Sequence, residues 1–386
     1  MNLVMMNVVF MGATSGYPDR YSADNTKCEF IAKALIEQGV KVSTLNAVPI
    51  GDNHDAKMTY GVTSFGYHYY SLPYSKKIWG IIQNLRKTKF ILKQLREVQG
   101  PNIIFIGMPI FPVMLCHILV GRFLGYRIAT LYHEYFSSWP YRDVFRYVDY
   151  RLVDRLFGYF CHYIFPISHF LENKASRFRK PMMILPVLAD ASINRTSSYS
   201  GGNNFTFCGH VGYILRYTLI LDAFRVVVRK KVEARLTLVL YGNINQLAEA
   251  ENMIDNMDLK DFVCIKTNLT FSELNTLYDE SLGLLIPLQP DSVQDVARFS
   301  QKIAEYTMSG RPIITTNVGE IPYYFINNES AIVADYTVDS FSKGMLLLLN
   351  DKSLADKVGF NGKKVATEHF YYKMYGKRLK DVLANN

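Results

Sequence analysis

The chain has 386 residues, 49% apolar and 20% charged, with no low-complexity tract. That length exceeds one ordinary core, which stops growing near about 250–300 residues, so two domains are expected. The net charge of +9 points to nucleic acid, an anionic membrane face or a phosphate-bearing substrate as partner. The five cysteines, Cys28, Cys116, Cys161, Cys208 and Cys264, are odd in number and form no C-x-x-C. A disulfide framework and structural zinc are therefore disfavoured, and a reducing cytoplasm is the expected location. The 27 Tyr and 24 Phe suit a large core, with base stacking or a membrane interface as further uses.

The opening reads as a βα unit. Val4 to Met11 is a continuous apolar run, the pattern of a strand buried on both faces of a parallel sheet. It lacks the basic start and cleavage site of a signal peptide. It leads into Gly12 and Gly16, where missing side chains let backbone approach a ligand or simply make a tight turn. Lys27 to Gln38 is a helix, with Cys28, Ile31, Ala32 and Leu35 at helical spacing and Gly39 as its C-cap. Val40 to Leu45 is the next strand.

Tyr74 to Val98 reads as a basic helix. Lys76, Lys77, Arg86, Lys87, Lys89, Lys93 and Arg96 face Glu97 alone, around a stripe of Ile78, Ile82, Leu85, Leu92 and Leu95. Such a helix either lies on anionic lipid at the inner membrane face or shows water a solvated basic side. Ile103–Ile106 and Arg127–Tyr132 are strands around an apolar helix. His117 and Arg122 interrupt that helix, and it falls short of the roughly 20 residues of a membrane span. Tyr163–Ile167 and Met182–Pro186 are two more strands.

Asn194–Asn204, rich in Ser, Gly and Asn, reads as a linker. Beyond it the rhythm restarts with strands at Phe205–Cys208, Leu236–Tyr241, Phe262–Ile265, Leu282–Leu288, Pro312–Thr315 and Ala331–Val333. Helices are expected at Tyr217–Lys230 and Gln301–Ser309, and from Asp339 to the end. The alternation predicts an α/β chain of two Rossmann-like, doubly wound domains facing a cleft. These are residues 1–193, a linker at 194–204, residues 205–365, and a terminal helix at 366–386 that packs on the first domain. Ligands in such sheets bind at the carboxyl ends of the strands.

The sharpest segment is Arg298 to Pro322, RFSQKIAEYTMSGRPIITTNVGEIP. Lys302 and Glu305 sit three apart on one helical face. At a helix start beside a cleft, the ammonium suits a diphosphate and the carboxylate suits ribose hydroxyls. By spacing alone, an ordinary i,i+3 pair on a solvated helix is the favoured account. The order K-x-x-E-Y, G-R-P-I-I, V-G-E-I-P resembles the C-terminal motif of family 4-like retaining glycosyltransferases of the GT-B fold, in the branch that builds bacterial surface polysaccharides. The resemblance implies a nucleotide-sugar donor, a glycan or lipid-linked acceptor and retention of configuration. It assigns donor ribose to Glu305 and diphosphate to basic residues.

A second match is Phe205 to Phe224, FTFCGHVGYILRYTLILDAF, which resembles the first unit of that family's donor domain. The glycine at Gly209 is followed in many relatives by Arg, with Lys six residues on. Here His210 and Arg216 stand at those positions. Arg216 replaces Lys against phosphate with a fork suited to bidentate contact; His210 is the weaker substitute. Relatives also carry a first Glu where this chain has Ala297, so sugar recognition should differ and use the backbone around Gln294 to Phe299. Arg298, Phe299 and Ser300 join the donor set. The resemblance further places Gly12 and Gly16 in the first loop, and Gly242, Asn243, Thr267, Asn268 and Leu269 around base and ribose. It places His133 and Glu134 near the acceptor or the transferred sugar, although a lone His is as often structural.

There is no D-x-D, so no metal is expected. Arg216, Lys302 and Arg298 would meet the leaving-group charge, together with backbone amides. Domain closure would exclude water. No nucleic-acid motif is found. Two other readings share the architecture: a nucleotide-sugar epimerase, which would act without acceptor, and a non-catalytic nucleotide-sugar-binding subunit, which would show no turnover.

Overall fold

The computed structural model describes residues 1–7, 23–47, 58–63, 66–73, 78–107, 110–141, 143–191 and 202–384. Gly12, Gly16, most of the 194–204 segment, and Lys76 and Lys77 lie outside them. The chain divides into two compact units, Met1–Leu188 with Tyr372–Asn386, and Ala189–Tyr371.

The first unit holds β1 (Asn2–Met6), α1 (Ala23–Ile36), β2 (Lys41–Asn46), β3 (Thr59–Val62), β4 (His68–Ser71), α2 (Ile78–Leu95), β5 (Asn102–Ile106), α3 (Phe111–Phe123), β6 (Arg127–Tyr132), α4 (Val144–Phe160), β7 (Tyr163–Pro166) and α5 (His169–Ser176). Its sheet runs β3-β4-β2-β1-β5-β6-β7, parallel except for β3 against β4. Leu3, Val4, Met5 and Met6 are fully buried, as are Ile103 to Ile106, because helices cover both faces of the central strands. Asn2 fastens the start of β1: its Nδ2 donates to Leu95 O at 2.9 Å and Asn102 Oδ1 at 3.0 Å.

The second unit holds β8 (Asn204–His210), α6 (Ile214–Val228), β9 (Arg235–Tyr241), α7 (Ile244–Asn256), β10 (Val263–Lys266), α8 (Phe271–Glu280), β11 (Gly283–Ile286), α9 (Val293–Ala297), α10 (Gln301–Met308), β12 (Ile313–Thr316), α11 (Ile321–Tyr324), β13 (Ile332–Ala334), α12 (Val338–Asn350) and α13 (Lys352–His369). Its parallel sheet has the order β10-β9-β8-β11-β12-β13. The order turns back at β8, so the sheet opens between the carboxyl ends of β8 and β11, where doubly wound folds hold their ligands.

The last helix, α14 (Lys373–Ala384), returns to the first unit and packs on α1. A Cβ on Gly376 would stand 2.4 Å from Ala34 O, so this crossing needs glycine. Tyr372 pins the return: its hydroxyl donates to Glu37 Oε1 at 2.6 Å, its ring stacks on Phe30, and the Lys33 ammonium lies 4.6 Å over it.

Several expectations on elements are corrected. Met182–Pro186 is not a strand; Met182 makes a single bridge to Ile164, because Pro181 and Pro186 withhold ladder donors. The terminal region is two helices, α13 and α14, broken around Phe370, and the chain changes unit at Tyr372 and not at residue 366. On the N-terminal side the units divide after Leu188, ahead of the expected linker. The β3–β4 hairpin and α4 were not foreseen. The hairpin strands are four residues each, too short to show a period, and α4 carries Arg, Asp and Tyr through its pattern.

Cys28, Cys161 and Cys208 are buried, whereas Cys116 and Cys264 are exposed. Burial pushes the Cys161 thiol up to about 12 and raises that of Cys208. Brief alkylation of the native protein should therefore modify Cys116 and Cys264, with the other three reacting only after denaturation. Intact mass and peptide mapping check this, and native labelling of Cys161 or Cys208 would contradict the packing.

Candidate active site

The second unit gathers its charged side chains where the strand order reverses. β8 ends in Gly209 and His210, and a tight turn through Gly212 leads to α6. The Gly212 N–H donates to His210 Nδ1 at 2.9 Å, which leaves Nε2 to carry the ring proton and act as donor. His210 stands edge-on to Tyr241, ring centroids 5.4 Å apart, at the end of β9. Gly242 follows at φ +146, and a Cβ there would meet Val211 at 2.3 Å, so only glycine allows β9 to end beside this turn.

Arg216, on the first turn of α6, pairs with the fully buried carboxylate of Asp295 on α9. Arg298 reaches the same Asp295 oxygen at 3.3 Å. The other Asp295 oxygen accepts from Gln289 N–H at 2.9 Å, and Ser292 caps α9 through Asp295 N–H. One carboxylate thus fixes two guanidinium groups and the loop after β11. Tyr213 lies under both cations, its ring centroid 4.2 Å from Arg216 and 5.7 Å from Arg298. Charge-assisted contacts on a buried carboxylate hold the arginine planes in one orientation. Gly319 packs its backbone on the same segment, since a Cβ would stand 2.8 Å from Asp295 O.

Helix α10 is not a solvated helix. Gln301, Ile303, Ala304, Glu305 and Tyr306 are buried, and Lys302 is half-buried with its ammonium 5.9 Å from the Tyr241 ring. Burial alone would lower the Lys302 pKa, but the surrounding Cys208, Tyr241, Glu305 and Tyr213 outweigh it and the net direction is upward. Of these, Glu305 is the group we hold responsible at neutral pH, because burial keeps the Cys208 thiol and Tyr241 phenol protonated. Behind them, Cys208 N–H donates to Tyr306 Oη at 3.0 Å, and Tyr306 meets Tyr278 edge-on at 4.7 Å, locking α10 against β8. Ser300 is the N-cap of α10 but makes no side-chain cap bond to its first-turn amides.

Of the expected residues, the fold therefore joins Gly209, His210, Arg216, Gly242, Arg298, Ser300, Lys302 and Glu305. Phe299 differs: its side chain is buried, stacked on Tyr324 at 5.4 Å and edge-on to Phe370, so only its backbone is available. Asn243 spends its side chain capping α7, accepting from Asn245 N–H at 2.8 Å. Thr267, Asn268 and Leu269 lie past the end of β10, one strand further out, with Asn268 at φ +54. Tyr213, Tyr241 and the double role of Asp295 were missed; Asp295 stood two positions from where a carboxylate was sought, and only the fold turns it onto Arg216.

In the first unit, His133 and Glu134 follow β6. His133 Nδ1 lies 3.3 Å from Leu131 O and its ring is edge-on to Phe136. Glu134 Oε2 accepts from Trp139 Nε1 at 3.4 Å. The turn beyond is held by Asp154, which accepts from Tyr132 Oη at 3.0 Å and Ser137 N–H at 2.5 Å; burial raises its pKa.

Residues 190–365 match the model of the family described as glycosyl transferases group 1. Solved structures share the fold over the whole chain. Sucrose-phosphate synthase from Thermosynechococcus elongatus matches with a TM-score of 0.70 and 13% identity, covering 99% of this chain and 98% of that one. HepE of Anabaena, solved in complex with UDP, matches at 0.73 and 10% identity over 100% of both chains. A glycosyltransferase from Rickettsia africae matches at 0.69 and 13%, covering 100% and 99%. No curated protein matches by sequence. The fold is GT-B, and the chain is a glycosyltransferase. The family match falls within the C-terminal unit.

Proposed function

We propose that the protein moves a sugar from a nucleotide-diphosphate donor to a glycan or lipid-linked acceptor in bacterial surface-polysaccharide synthesis, with retention of configuration. The observation that carries this is the gathering of Arg216, Arg298 and Lys302 at the reversal point of the C-terminal sheet, with Asp295 and Glu305 among them. HepE of Anabaena is solved with UDP and with UDP-glucose, which favours a uridine donor.

In this reading Arg216 and Lys302 face the developing diphosphate charge, an electrostatic role needing no proton transfer. Arg298, His210 Nε2–H and the amides at Phe299 and Ser300 complete the cradle. Gly209 and Gly242 let the chain approach. Glu305 accepts ribose hydroxyls, while Asn243, Thr267, Asn268 and Leu269 bound the base. His133 and Glu134 serve the acceptor side. We propose metal independence, with the three cations supplying the charge. Undiminished activity in a chelator would support it.

The test is a thermal-shift panel with UDP, GDP, CMP and their sugars. A ligand at 100 times its Kd stabilises by about 2.7 kcal/mol, several degrees at roughly 2–4 °C per kcal/mol. One nucleotide family should shift the Tm, and Glu305→Ala should lose both that shift and transfer while keeping its circular dichroism. No shift with any nucleotide would overturn the reading. Buried Ala297, where relatives carry a carboxylate, favours a binding subunit as the second reading; it predicts the shift without product.

A further inference from the structure

Helices α2, α3 and α4 lie side by side, each touching the next. Right-handed crossovers place all three on one face of the first sheet, opposite α1 and α14. Each turns a mixed stripe outward. On α2 it is Trp79, Ile82, Arg86, Phe90 and Lys93, spaced three or four apart. On α3 it is Cys116, Leu119, Arg122 and Phe123. On α4 it is Val144, Val148, Arg151, Arg155 and Tyr159. Trp79 is 70% exposed, Phe90 62%, Phe123 76% and Val144 78%, and on adjoining helices they form a patch where single exposed apolar residues would need no explanation. Lys89 joins two of the helices, its ammonium 4.7 Å over the Phe123 ring. Within the three helices no acid is exposed: α2 and α3 contain none, Asp149 and Asp154 of α4 are buried, and the exposed Asp143 just ahead of α4 is engaged as its N-cap, accepting from Arg146 N–H.

We infer that this three-helix face docks on an anionic phospholipid surface. Its charge is of one sign, complementary to such a membrane. Four of its apolar groups, Trp79, Phe90, Phe123 and Tyr159, are aromatic, the kind that settle at the headgroup boundary. Its cations are threaded through the apolar positions and not gathered at a rim. Against a protein those cations would be buried without partners at the centre of the contact. In a headgroup layer each meets a phosphate while its stem lies along apolar surface. None of the helices among the described residues is long and apolar enough to cross a membrane, so the contact is peripheral. This deepens the lipid-linked acceptor reading but does not need it, because binding is measured without donor or acceptor.

The experiment is vesicle flotation of the full chain on phosphatidylglycerol–phosphatidylcholine and on pure phosphatidylcholine. Binding is expected to the first only, and to fall as salt rises toward about 1 M, where the Debye length shrinks to about 3 Å. Arg86→Gln with Lys93→Gln should weaken binding about fivefold per charge, from roughly 1 kcal/mol each. Trp79→Ser with Phe90→Ser should weaken it more than tenfold. Both variants should keep the wild-type nucleotide thermal shift, which separates loss of docking from loss of fold or of donor binding. Absence of wild-type flotation, equal binding to neutral vesicles, or full binding by either double variant would overturn the proposal. A concentration-dependent dimer dissolved by Phe90→Ser would assign the face to a second copy of the chain instead.

Discussion

Lys302→Met should lower kcat for sugar transfer by about 10²–10³, the cost of removing one preorganised group aimed at developing charge. The substitution keeps the stem that packs beside Tyr241 and deletes the ammonium. Its effect should fall on kcat more than on donor KM, since the interaction strengthens as the diphosphate leaves. Glu305 would lose the favourable charge interaction it has with Lys302, so some stability should go as well. Steady-state kinetics with the donor found in the thermal-shift panel checks this; a loss below about tenfold, or one confined to KM, removes Lys302 from the leaving-group role.

Asp295→Ala should have the largest effect on stability. The carboxylate is fully buried, takes Arg216 and Arg298, and accepts from Gln289 N–H. Breaking a buried pair from one side costs about 3–5 kcal/mol, on the order of 10 °C in Tm at roughly 2–4 °C per kcal/mol. A second consequence separates this from ordinary destabilisation. Two guanidinium groups left without their carboxylate should gain more from an added anion, so pyrophosphate or the nucleotide should raise the Tm of the variant further than that of the parent. Transfer should still fall about 10²-fold, because misplacing a positioning group by about 1 Å has that cost. A variant as stable as the parent would contradict the buried pair, and one with no enhanced response to pyrophosphate would show that the arginines do not face the diphosphate.

The α/β alternation, the parallel strands and the position of α10 were legible in the sequence, for a local reason. Buried parallel strands such as Ile103–Ile106 and Ile128–Tyr132 read as near-continuous apolar runs, and helix ends such as Gly39 and Gly310 need a left-handed residue. The K-x-x-E-Y order likewise located Lys302 and Glu305. What spacing left open was their setting: an i,i+3 pair reads the same on a wet helix and a buried one. Tertiary packing decided it, by setting Tyr306 under β8 and Tyr241 beside Lys302. The same holds for Asp295, which meets Arg216 across 79 positions of chain. No period or motif records such a pair, because it exists only once β8 and β11 lie side by side. The basic stripe of α2 was visible as a pattern; that α3 and α4 extend it without an exposed acid was set by crossover handedness, which stacks the three helices on one face of the sheet.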